Sequence, residues 1–351
     1  MKLLVLPGDG IGPDIAEATR LALAALDRKF SLGLEIEEVP IGLASLKTEG
    51  TTWPSLANDR LHTADGVVMA PVDTYEYPEG QVNPSSMVRR SLDLYANIRP
   101  ARRRLPAQPG EKPIDLVLVR ENTEGFYADR NMAMGSGEFR PTEDVALAVR
   151  KITRSASTRI ARTAFEAARK RRSHVTAVHK ANVLKLSDGL FLEAVRAVAK
   201  EYPDVELDEV IIDAMAALLV RDPGRFDVVV TTNMYGDILS DEAGEIAGGL
   251  GIAPALNAGA DHAVAQAVHG SAPDIAGQGI ANPSALMLST AMLLTWLGDR
   301  HGKSAFTEAA QALDQAVDMA LANPATRTRD LGGSAGTMAF AETVATAVSG
   351  G

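Results

Sequence analysis

Asp237 and Asp241 lie four residues apart, directly after a β-rich stretch that ends at Thr232. If the chain turns helical after Tyr235, the two carboxylates share one helix face and can present oxygens to a single hard cation. The run alone leaves a second interpretation open, because acidic residues in a first helical turn commonly offset the helix dipole. A third acid, Asp213, lies in an apolar run that we interpret as strand-like, where a bare buried carboxylate needs a partner or an ion. Together the three acids predict a divalent-metal site.

Three arginines in separate segments form a second candidate constellation. Arg89 and Arg99 bracket a short segment, and Arg120 follows an apolar strand-like run. A guanidinium group is always charged and pairs with carboxylates through two parallel hydrogen bonds, so these residues are suited to hold an anionic substrate. The end of a strand, where Arg120 lies, is where α/β proteins place ligands. The arginines at 102–104 are instead interpreted as solvated surface charge.

Tyr127 and Lys180 are candidates for proton transfer. Tyr127 follows Arg120 by seven residues, and Lys180 ends a predicted strand. A tyrosine and a lysine of perturbed pKa can share a proton-transfer step, although each residue taken singly is also compatible with a structural role.

Two loops rich in small residues are candidates for ligand contact. The glycines at 8, 10 and 12 follow a strand and open a helix, but they do not have the G-x-G-x-x-G spacing of a Rossmann dinucleotide site. The loop at 269–277, followed by Asn282, lets a flat ligand approach the backbone. The sequence contains no P-loop motif, and His179, His262 and His269 do not have zinc-site spacing.

Short β-like runs alternate with amphipathic helical patterns, which predicts an α/β fold with a largely parallel sheet. The predicted strands are 2–6, 66–70, 115–119, 174–178, 210–212 and 227–231. The predicted helices are 13–26, 145–170, 190–200 and 308–321, with 284–297 as a buried core helix. The proline-rich, charged segment at 99–113 is the expected domain crossing, and a second crossing is expected at 248–251.

The composition excludes several classes of protein. The 351 residues are 46% hydrophobic, enough for two domains, and the net charge of −10 argues against nucleic acid or an anionic membrane as the main partner. Cysteine is absent, which rules out disulfides, thiolate metal sites and a cysteine nucleophile. The N-terminal apolar run is too short for a signal peptide, so a cytoplasmic location is expected.

Four segments in this order resemble the β-decarboxylating dehydrogenases, the family of isocitrate, 3-isopropylmalate, homoisocitrate and tartrate or D-malate dehydrogenases. The segments are LPGDGIGPD, GDILSDEA, HGSAPDIAGQGIANP and RTRDLGGSAGT. The resemblance covers essentially the whole chain. It implies a two-domain isocitrate/isopropylmalate dehydrogenase-like α/β fold with one large twisted mixed sheet and no Rossmann topology. Residues 1–98 and 249–351 would form the first domain and residues 99–248 the second.

The resemblance also assigns roles to the candidate residues. Arg89, Arg99 and Arg120 would hold the malate portion of the substrate, Tyr127 would protonate the enol, and Lys180 would act in proton transfer. Asp237 and Asp241 would bind Mg²⁺ or Mn²⁺ from one subunit of a homodimer. Asp213 and Lys180 would reach the same site from the other subunit. The implied reaction is oxidation of a 2-hydroxy acid followed by loss of the 3-carboxylate.

The expected cofactor is NAD. The resemblance implies cofactor contacts from Ile11, His269, Gly270, Ser271, Ala272, Asp274, Ile275 and Asn282. NADP enzymes of the family typically carry Lys-Tyr where this chain has Asp274 and Ile275. A carboxylate there repels a 2′-phosphate and accepts hydrogen bonds from a ribose hydroxyl.

The segment before Arg89 indicates a polar substituent on the malate. Isopropylmalate enzymes carry Glu and Leu-Leu where this chain has Val82 and Ser85-Ser86, and isocitrate enzymes carry Ser and Asn where it has Asn83 and Ser85. The RENTEG run beginning at Arg120 also resembles isocitrate and homoisocitrate members, whereas residues 69–84 match no named subfamily. Isocitrate or homoisocitrate is therefore favoured over 3-isopropylmalate, tartrate or D-malate.

Two other functional classes fit the sequence less well. A non-catalytic regulatory subunit of an isocitrate dehydrogenase would be expected to lack a catalytic Tyr, Lys or metal Asp, and this chain keeps them all. A metal-dependent hydrolase is disfavoured because no histidine-based water-activating site is visible.

Overall fold

The computed structural model describes residues 1–106, 110–127, 129 and 132–350. The strands are β1 (Lys2–Leu6), β2 (Glu35–Glu38), β3 (Gly66–Met69), β4 (Ala96–Arg102), β5 (Asp115–Glu121), β6 (Glu138–Thr142), β7 (Val145–Ala148), β8 (His174–His179), β9 (Glu206–Ile211), β10 (Val228–Thr231), β11 (Leu256–Ala258) and β12 (Ala263–Ala265). The helices are α1 (Gly12–Phe30), α2 (Leu43–Glu49), α3 (Ser55–Leu61), α4 (Pro84–Ser91), α5 (Arg154–Arg169), α6 (Ser187–Ala199), α7 (Ile212–Arg221), α8 (Asn233–Ala247), α9 (Ser284–His301), α10 (Ser304–Ala322) and α11 (Thr337–Gly350).

Ten of these strands form one mixed sheet. Their order is β2-β1-β3-β12-β11-β4-β5-β10-β8-β9, while β6 and β7 form a separate two-stranded ribbon. The outer pairs are parallel, but β4 runs antiparallel to β5 and β11, and β11 runs antiparallel to β12. The predicted large mixed sheet without Rossmann topology is confirmed, because three antiparallel pairs interrupt the sheet near its centre and the strand order is not the 3-2-1-4-5-6 order of a dinucleotide-binding Rossmann sheet.

Alternating apolar residues place hydrophobic core on both faces of the sheet. In β1, Leu3 and Val5 pack into one buried cluster, whereas Leu4 and Leu6 pack into another. This follows from the two-residue period of a strand, which points successive side chains to opposite faces. The clusters around β1 draw mostly on the two ends of the chain, and the clusters around β10 draw mostly on its middle. The predicted two-domain division is compatible with this distribution and stays a prediction.

Two predicted elements were wrong at their edges. The helix predicted at 145–170 begins only at Arg154, where the Thr153 side chain accepts a hydrogen bond from the Ala156 amide at 3.2 Å and caps the helix. The first residues of that range instead form β7, which pairs with β6. The strand predicted at 210–212 ends at Ile211, and Asp213 lies in the first turn of α7, where its side chain is exposed. The argument that a buried Asp213 requires an ion is therefore wrong for the single chain.

The arginines at 102–104 were also misinterpreted as solvated charge. Arg104 is 8% exposed and binds Asp314 and Asp318 of α10 at 2.7 and 2.6 Å. Arg102 contacts the same two carboxylates from the exposed side. This ion-pair network joins the segment after β4 to a helix more than 200 residues away. Residues 107–109 of the predicted crossing lie outside the described residues.

The predicted core helix at 284–297 is confirmed as part of α9, which is buried along most of its length. Within the described part of the chain, no helix is long and apolar enough to cross a membrane. The cytoplasmic location stays a prediction.

Candidate active site

The site is built around α8, which begins just after β10 ends. Asp237 and Asp241 lie one turn apart on this helix, as the sequence predicted. Asp237 accepts a hydrogen bond from the Tyr127 hydroxyl at 2.5 Å and forms ion pairs with Arg120 and, at 3.2 Å, with Arg99. Asp241 pairs with the same Arg99 nitrogen at 3.2 Å. Three of the predicted site residues thus contact Asp237, and a fourth, Asp241, shares Arg99 with it.

Arg99 and Arg120 are almost fully buried, and both donate hydrogen bonds to neutral side chains. Arg99 is 7% exposed and donates to Asn97 at 3.1 Å and Ser240 at 2.7 Å. Arg120 is 1% exposed and donates to Asn233 at 2.9 Å and to the hydroxyl of Tyr127 at 2.7 Å. A buried guanidinium is costly unless its donors are paired, so these contacts fix both forks toward the carboxylates of α8.

The ionisation states in this cluster suit an anionic substrate and a cation. Burial raises the pKa of Tyr127, a shift that the charge of Arg120 opposes, so the hydroxyl stays protonated at neutral pH. Burial would also raise the pKa of Asp237, but the charges of Arg120 and Arg99 outweigh it and lower this pKa. Asp237 therefore remains a carboxylate. The pKa of Asp241, which is further from Arg120, is raised by burial.

Gly236 allows α8 to approach β5 closely enough for these contacts. A Cβ atom at this position would lie 2.7 Å from the Cβ and Cγ atoms of Arg120. We expect Gly236→Ala to displace Arg120 or α8 and to lower kcat/KM by at least about tenfold, because small misplacements of reacting groups are costly. Steady-state kinetics and thermal unfolding would test this.

Gly244→Ala is the matched control for that variant. Gly244 lies on the same helix, but an added Cβ would meet only Leu250 and Ala253, at 3.3 and 3.4 Å. It should change kcat/KM much less. A folded Gly236→Ala protein with unchanged kcat/KM would contradict the assigned role of this close approach.

The third arginine, Arg89, lies on α4 with the residues predicted to line the substituent pocket. The Asn83 side chain caps this helix by accepting from the Ser86 amide at 3.2 Å, and Ser86 donates to Asp129. Ser85 accepts a hydrogen bond from Gln266 at 3.0 Å. The capping role of Asn83 follows from its position before Pro84 and is one that the sequence reasoning did not assign.

Gln266 is the main pocket residue that sequence reasoning missed. Its side-chain oxygen accepts from Arg89 at 3.3 Å and from Asn257 at 3.3 Å, while its amide donates to Ser85. Gln266 therefore joins the guanidinium of Arg89 to the substituent pocket. The available signal was a single amide in the otherwise apolar run at 263–268.

Lys180 and Asp213 lie together, apart from the acids of α8. Lys180 follows β8, and its Nζ binds Asp213 at 2.5 Å. This hydrogen bond lowers the pKa of Asp213. Within one chain, the described residues contain no group of three or more His, Cys, Asp or Glu that could hold a metal. The three predicted ligands are thus divided between two places.

Most of the predicted cofactor residues line one cavity of about 220 Å³ beside the β1–α1 loop. Its walls are Ile11, Gly251, His269, Gly270, Ala272, Ile275, Ile280, Ala281, Asn282 and Asp330. Gly251, Ile280, Ala281 and Asp330 were missed. Asp330 could have been suspected from the RTRDLGG run, and it accepts from Asn282 at 2.9 Å.

The two other predicted cofactor residues lie beside this cavity. Ser271 is buried, with its carbonyl accepting from Ile11 at 2.8 Å and its hydroxyl donating to Asp73 at 3.1 Å. Its contacts fix the loop backbone. Asp274 is exposed on a single 3₁₀ turn, Pro273–Ile275.

The chemistry of both places fits the groups that the resemblance implies. Asp237 and Asp241 supply hard oxygen donors, which Mg²⁺ and Mn²⁺ prefer. In the cavity, the Nε2 atom of His269 is covered but has no hydrogen-bond partner among the described residues. Burial lowers the pKa of His269, so the ring is neutral and this nitrogen is available to a ligand. An apolar cleft with one free ring nitrogen suits a flat heterocycle.

The fold and the site together define a class of protein, an α/β oxidoreductase that takes a small carboxylate substrate. The chain belongs to the isocitrate/isopropylmalate dehydrogenase family, whose sequence profile matches residues 2–348. It is therefore a decarboxylating dehydrogenase that acts on a CH–OH group, as predicted. Use of NAD or NADP with Mg²⁺ or Mn²⁺ is general in this family, and its members are commonly dimeric.

The relatives of this chain are named for different substrates. The chain is 44% identical over 351 residues to the isocitrate/homoisocitrate dehydrogenase of Thermus thermophilus, covering 99% of this chain and 98% of the relative. It is 40% identical over 334 residues to the 3-isopropylmalate dehydrogenase of Saccharolobus solfataricus, covering 95% of each. The crystal structure of isocitrate dehydrogenase from Methylococcus capsulatus superposes with a TM-score of 0.87 at 38% identity, covering 99% of both chains.

Proposed function

We propose that this protein catalyses the NAD- and divalent-metal-dependent oxidative decarboxylation of a substituted malate with a polar substituent, of the isocitrate or homoisocitrate type. The observation that carries the proposal is the convergence of Arg99, Arg120 and Tyr127 on Asp237. The two buried guanidinium groups can bind a polyanionic substrate, and the two carboxylates beside them can bind a cation at the same place.

The residues of this chain perform separate parts of the reaction. Arg99 and Arg120 bind and orient the malate carboxylates, and Asp237 and Asp241 hold the cation. When bound, the nicotinamide takes up the hydride and the divalent cation acts as a Lewis acid on the substrate oxygens. Tyr127 holds its proton at the hydroxyl oxygen and donates it to carbon once the 3-carboxylate has left. Lys180, in its neutral form, would accept the proton of the substrate hydroxyl at Nζ.

The site is proposed to be shared between two copies of the chain. Lys180 and Asp213 form a pair that is separate from the acids of α8, and they are proposed to complete the partner's site. Apolar side chains are exposed near Lys180, at Val183 and Leu186, which are 64% and 90% exposed. An exposed apolar surface of this kind suits a second copy of the chain.

The proposed function is tested by measuring NADH production with Mn²⁺ on five substrates: isocitrate, homoisocitrate, 3-isopropylmalate, tartrate and D-malate. The largest kcat/KM is expected for isocitrate or homoisocitrate, and excess EDTA should abolish turnover. Full turnover in EDTA would refute the metal requirement. 3-Isopropylmalate is the second candidate, because several relatives of about 40% identity carry that name.

We expect Ser85→Leu combined with Ser86→Leu to shift preference toward 3-isopropylmalate. An apolar substituent in the unmodified pocket would offer no acceptor to the Ser85 hydroxyl proton or to the second amide hydrogen of Gln266, at about 1–3 kcal/mol for each donor left unsatisfied. Leucines remove Ser85 as a partner and add apolar surface. The measured quantity is the ratio of kcat/KM for isocitrate and 3-isopropylmalate. Ser91→Leu, on the exposed end of α4, is the control. If the unmodified protein prefers 3-isopropylmalate, the prediction that this pocket binds a polar substituent is wrong.

A further inference from the structure

Asp188 is a fully buried carboxylate that the proposed mechanism does not use. It lies in the first turn of α6 with 0% exposure. One of its oxygens accepts the backbone N–H of Lys180 at 2.6 Å, and the other binds the guanidinium of Arg150. Because both oxygens are occupied, the backbone position of Lys180 is fixed to that of Asp188.

Arg150 extends this connection to α8 and to Phe126, the residue before Tyr127. Its second terminal nitrogen donates to the Thr232 hydroxyl at 3.0 Å, directly before α8 begins. Its guanidinium also lies over two aromatic rings, at 5.2 Å from the centroid of Tyr235 and 5.7 Å from that of Phe126. Tyr235 is on α8 two residues before Asp237, and Phe126 precedes Tyr127.

We infer that the buried Arg150–Asp188 pair is a positioning device that holds Lys180 and α8 in a fixed relation to each other. The inference rests on the proposed function, in which Lys180 serves the partner's site while α8 and Tyr127 serve the chain's own site. The pair then links the two active sites of one dimer, because a shift on either side is transmitted through the same two side chains. Arg150 and Asp188 are positioning residues, since they act through Lys180 and α8.

Energetics favour a positioning role over a purely stabilising one. A buried ion pair is weak evidence for stability, because the cost of removing two charges from water offsets most of their attraction. What distinguishes such a pair is the directionality of its hydrogen bonds, since a guanidinium group and a carboxylate each fix the positions of several partners at once. At this place the partners lead to Lys180 and to α8, both of which carry groups of the proposed reaction.

The test uses Asp188→Asn with Asp227→Asn as a matched control. Asp227 is 1% exposed and is built in the same way, accepting from the Arg171 side chain at 2.8 Å and the Arg172 backbone N–H at 2.9 Å. Among the described residues, its side chain bonds to none of the proposed site residues. Both variants lose one buried charge. Asp188→Asn should lower kcat about 10- to 100-fold and change KM less than threefold, because misplaced groups slow the reaction more than they weaken binding. Asp227→Asn should leave kcat unchanged.

Amide hydrogen exchange provides a readout that does not depend on activity. Asn at position 188 cannot accept from both Lys180 and Arg150, since one of its two polar atoms becomes a donor. Peptides that contain Lys180, Thr232 or both should therefore exchange faster in Asp188→Asn but not in Asp227→Asn, depending on which partner the amide oxygen keeps. Unchanged exchange at both places in a folded Asp188→Asn protein would overturn the inference.

Heterodimers then assign the effect to each active site. A dimer of one Tyr127→Phe chain and one unmodified chain retains a single working site, which uses Lys180 of the Tyr127→Phe chain and α8 of the other. Asp188→Asn placed on the Tyr127→Phe chain tests the route through Lys180, and placed on the other chain it tests the route through α8. Both placements should lower kcat.

An effect of only one placement would overturn the link between the two sites, as would equal effects from Asp227→Asn. Failure of the proposed function is distinguishable from failure of this inference. If the proposed function is wrong, the unmodified protein itself produces no NADH from any substituted malate. If only the inference is wrong, the unmodified protein is active.

Discussion

Mixing Asp213→Asn chains with Asp237→Asn chains is expected to restore activity that neither variant has alone. Each homodimer should lose at least about 100-fold in kcat/KM, because each lacks one carboxylate at both proposed metal sites. In a hybrid dimer both defects fall on one site, and the other site has its full set of ligands. Random exchange should then recover about a quarter of the unmodified activity, since half of the dimers are hybrids with one intact site.

The control for this experiment mixes Asp213→Asn with Lys180→Met chains. The Nζ atom of Lys180 lies 2.5 Å from Oδ1 of Asp213, and both residues are proposed to contribute to the partner's site. Every site in that hybrid therefore carries one defect. It should show no recovery. Subunit exchange is verified by the mass of differently tagged chains. Verified Asp213→Asn/Asp237→Asn hybrids without recovered activity would contradict the shared site.

The separation of Asp213 from α8 illustrates what the sequence could and could not predict. Asp237 and Asp241 were placed correctly on one helix face, because helical periodicity acts over four residues and needs no distant information. The same reasoning misplaced Asp213. The valine and isoleucines at 210–212 favour a strand, but Ala214 and the residues after it favour a helix, and the change occurs one residue before Asp213.

Contacts between distant segments were beyond the reach of sequence pattern. From the sequence, Arg104 is interpreted as a solvated charge, yet Asp314 contacts it from α10, a helix that the local pattern around Arg104 does not indicate as a partner. Gln266 was missed for a similar reason, since its three partners come from α4 and β11. The resemblance to a known family supplied the overall fold and the main residues of the site. The contacts of Arg104 and Gln266 appear only once side chains from distant segments are in place.

NAD is expected to be preferred over NADP by about 100-fold or more in kcat/KM, and Asp274 is expected to be the main cause. Its side chain is exposed on a 3₁₀ turn beside the cofactor cavity, and Gln278 fixes this turn by donating to the Asp274 carbonyl at 2.8 Å. A 2′-phosphate would bring close to two negative charges toward this carboxylate. Asp330, which lines the cavity, adds a second acid to the cofactor site.

Two variants separate charge repulsion from hydrogen bonding to the ribose. Asp274→Asn keeps an acceptor oxygen but removes the charge, so NADP activity should rise while NAD activity falls little. Asp274→Lys with Ile275→Tyr should move the kcat/KM ratio toward NADP by at least about 100-fold, because the carboxylate is replaced by a cation that attracts phosphate. Glu308→Lys makes the same charge change on an exposed part of α10 and should leave the ratio unaltered.

Ionic strength distinguishes the two contributions further. Because Asp274 is exposed, the repulsive contribution should weaken as salt rises from about 0.01 to 1 M, over which the Debye length falls from about 30 to 3 Å. The hydrogen-bonding contribution should persist, so a residual NAD preference is expected at high salt. An unmodified protein that prefers NADP at any of these salt concentrations would refute the assignment of Asp274. A preference for NAD that survives Asp274→Lys with Ile275→Tyr unchanged would instead place the discrimination elsewhere in the cavity, with Asp330 as the next residue to replace.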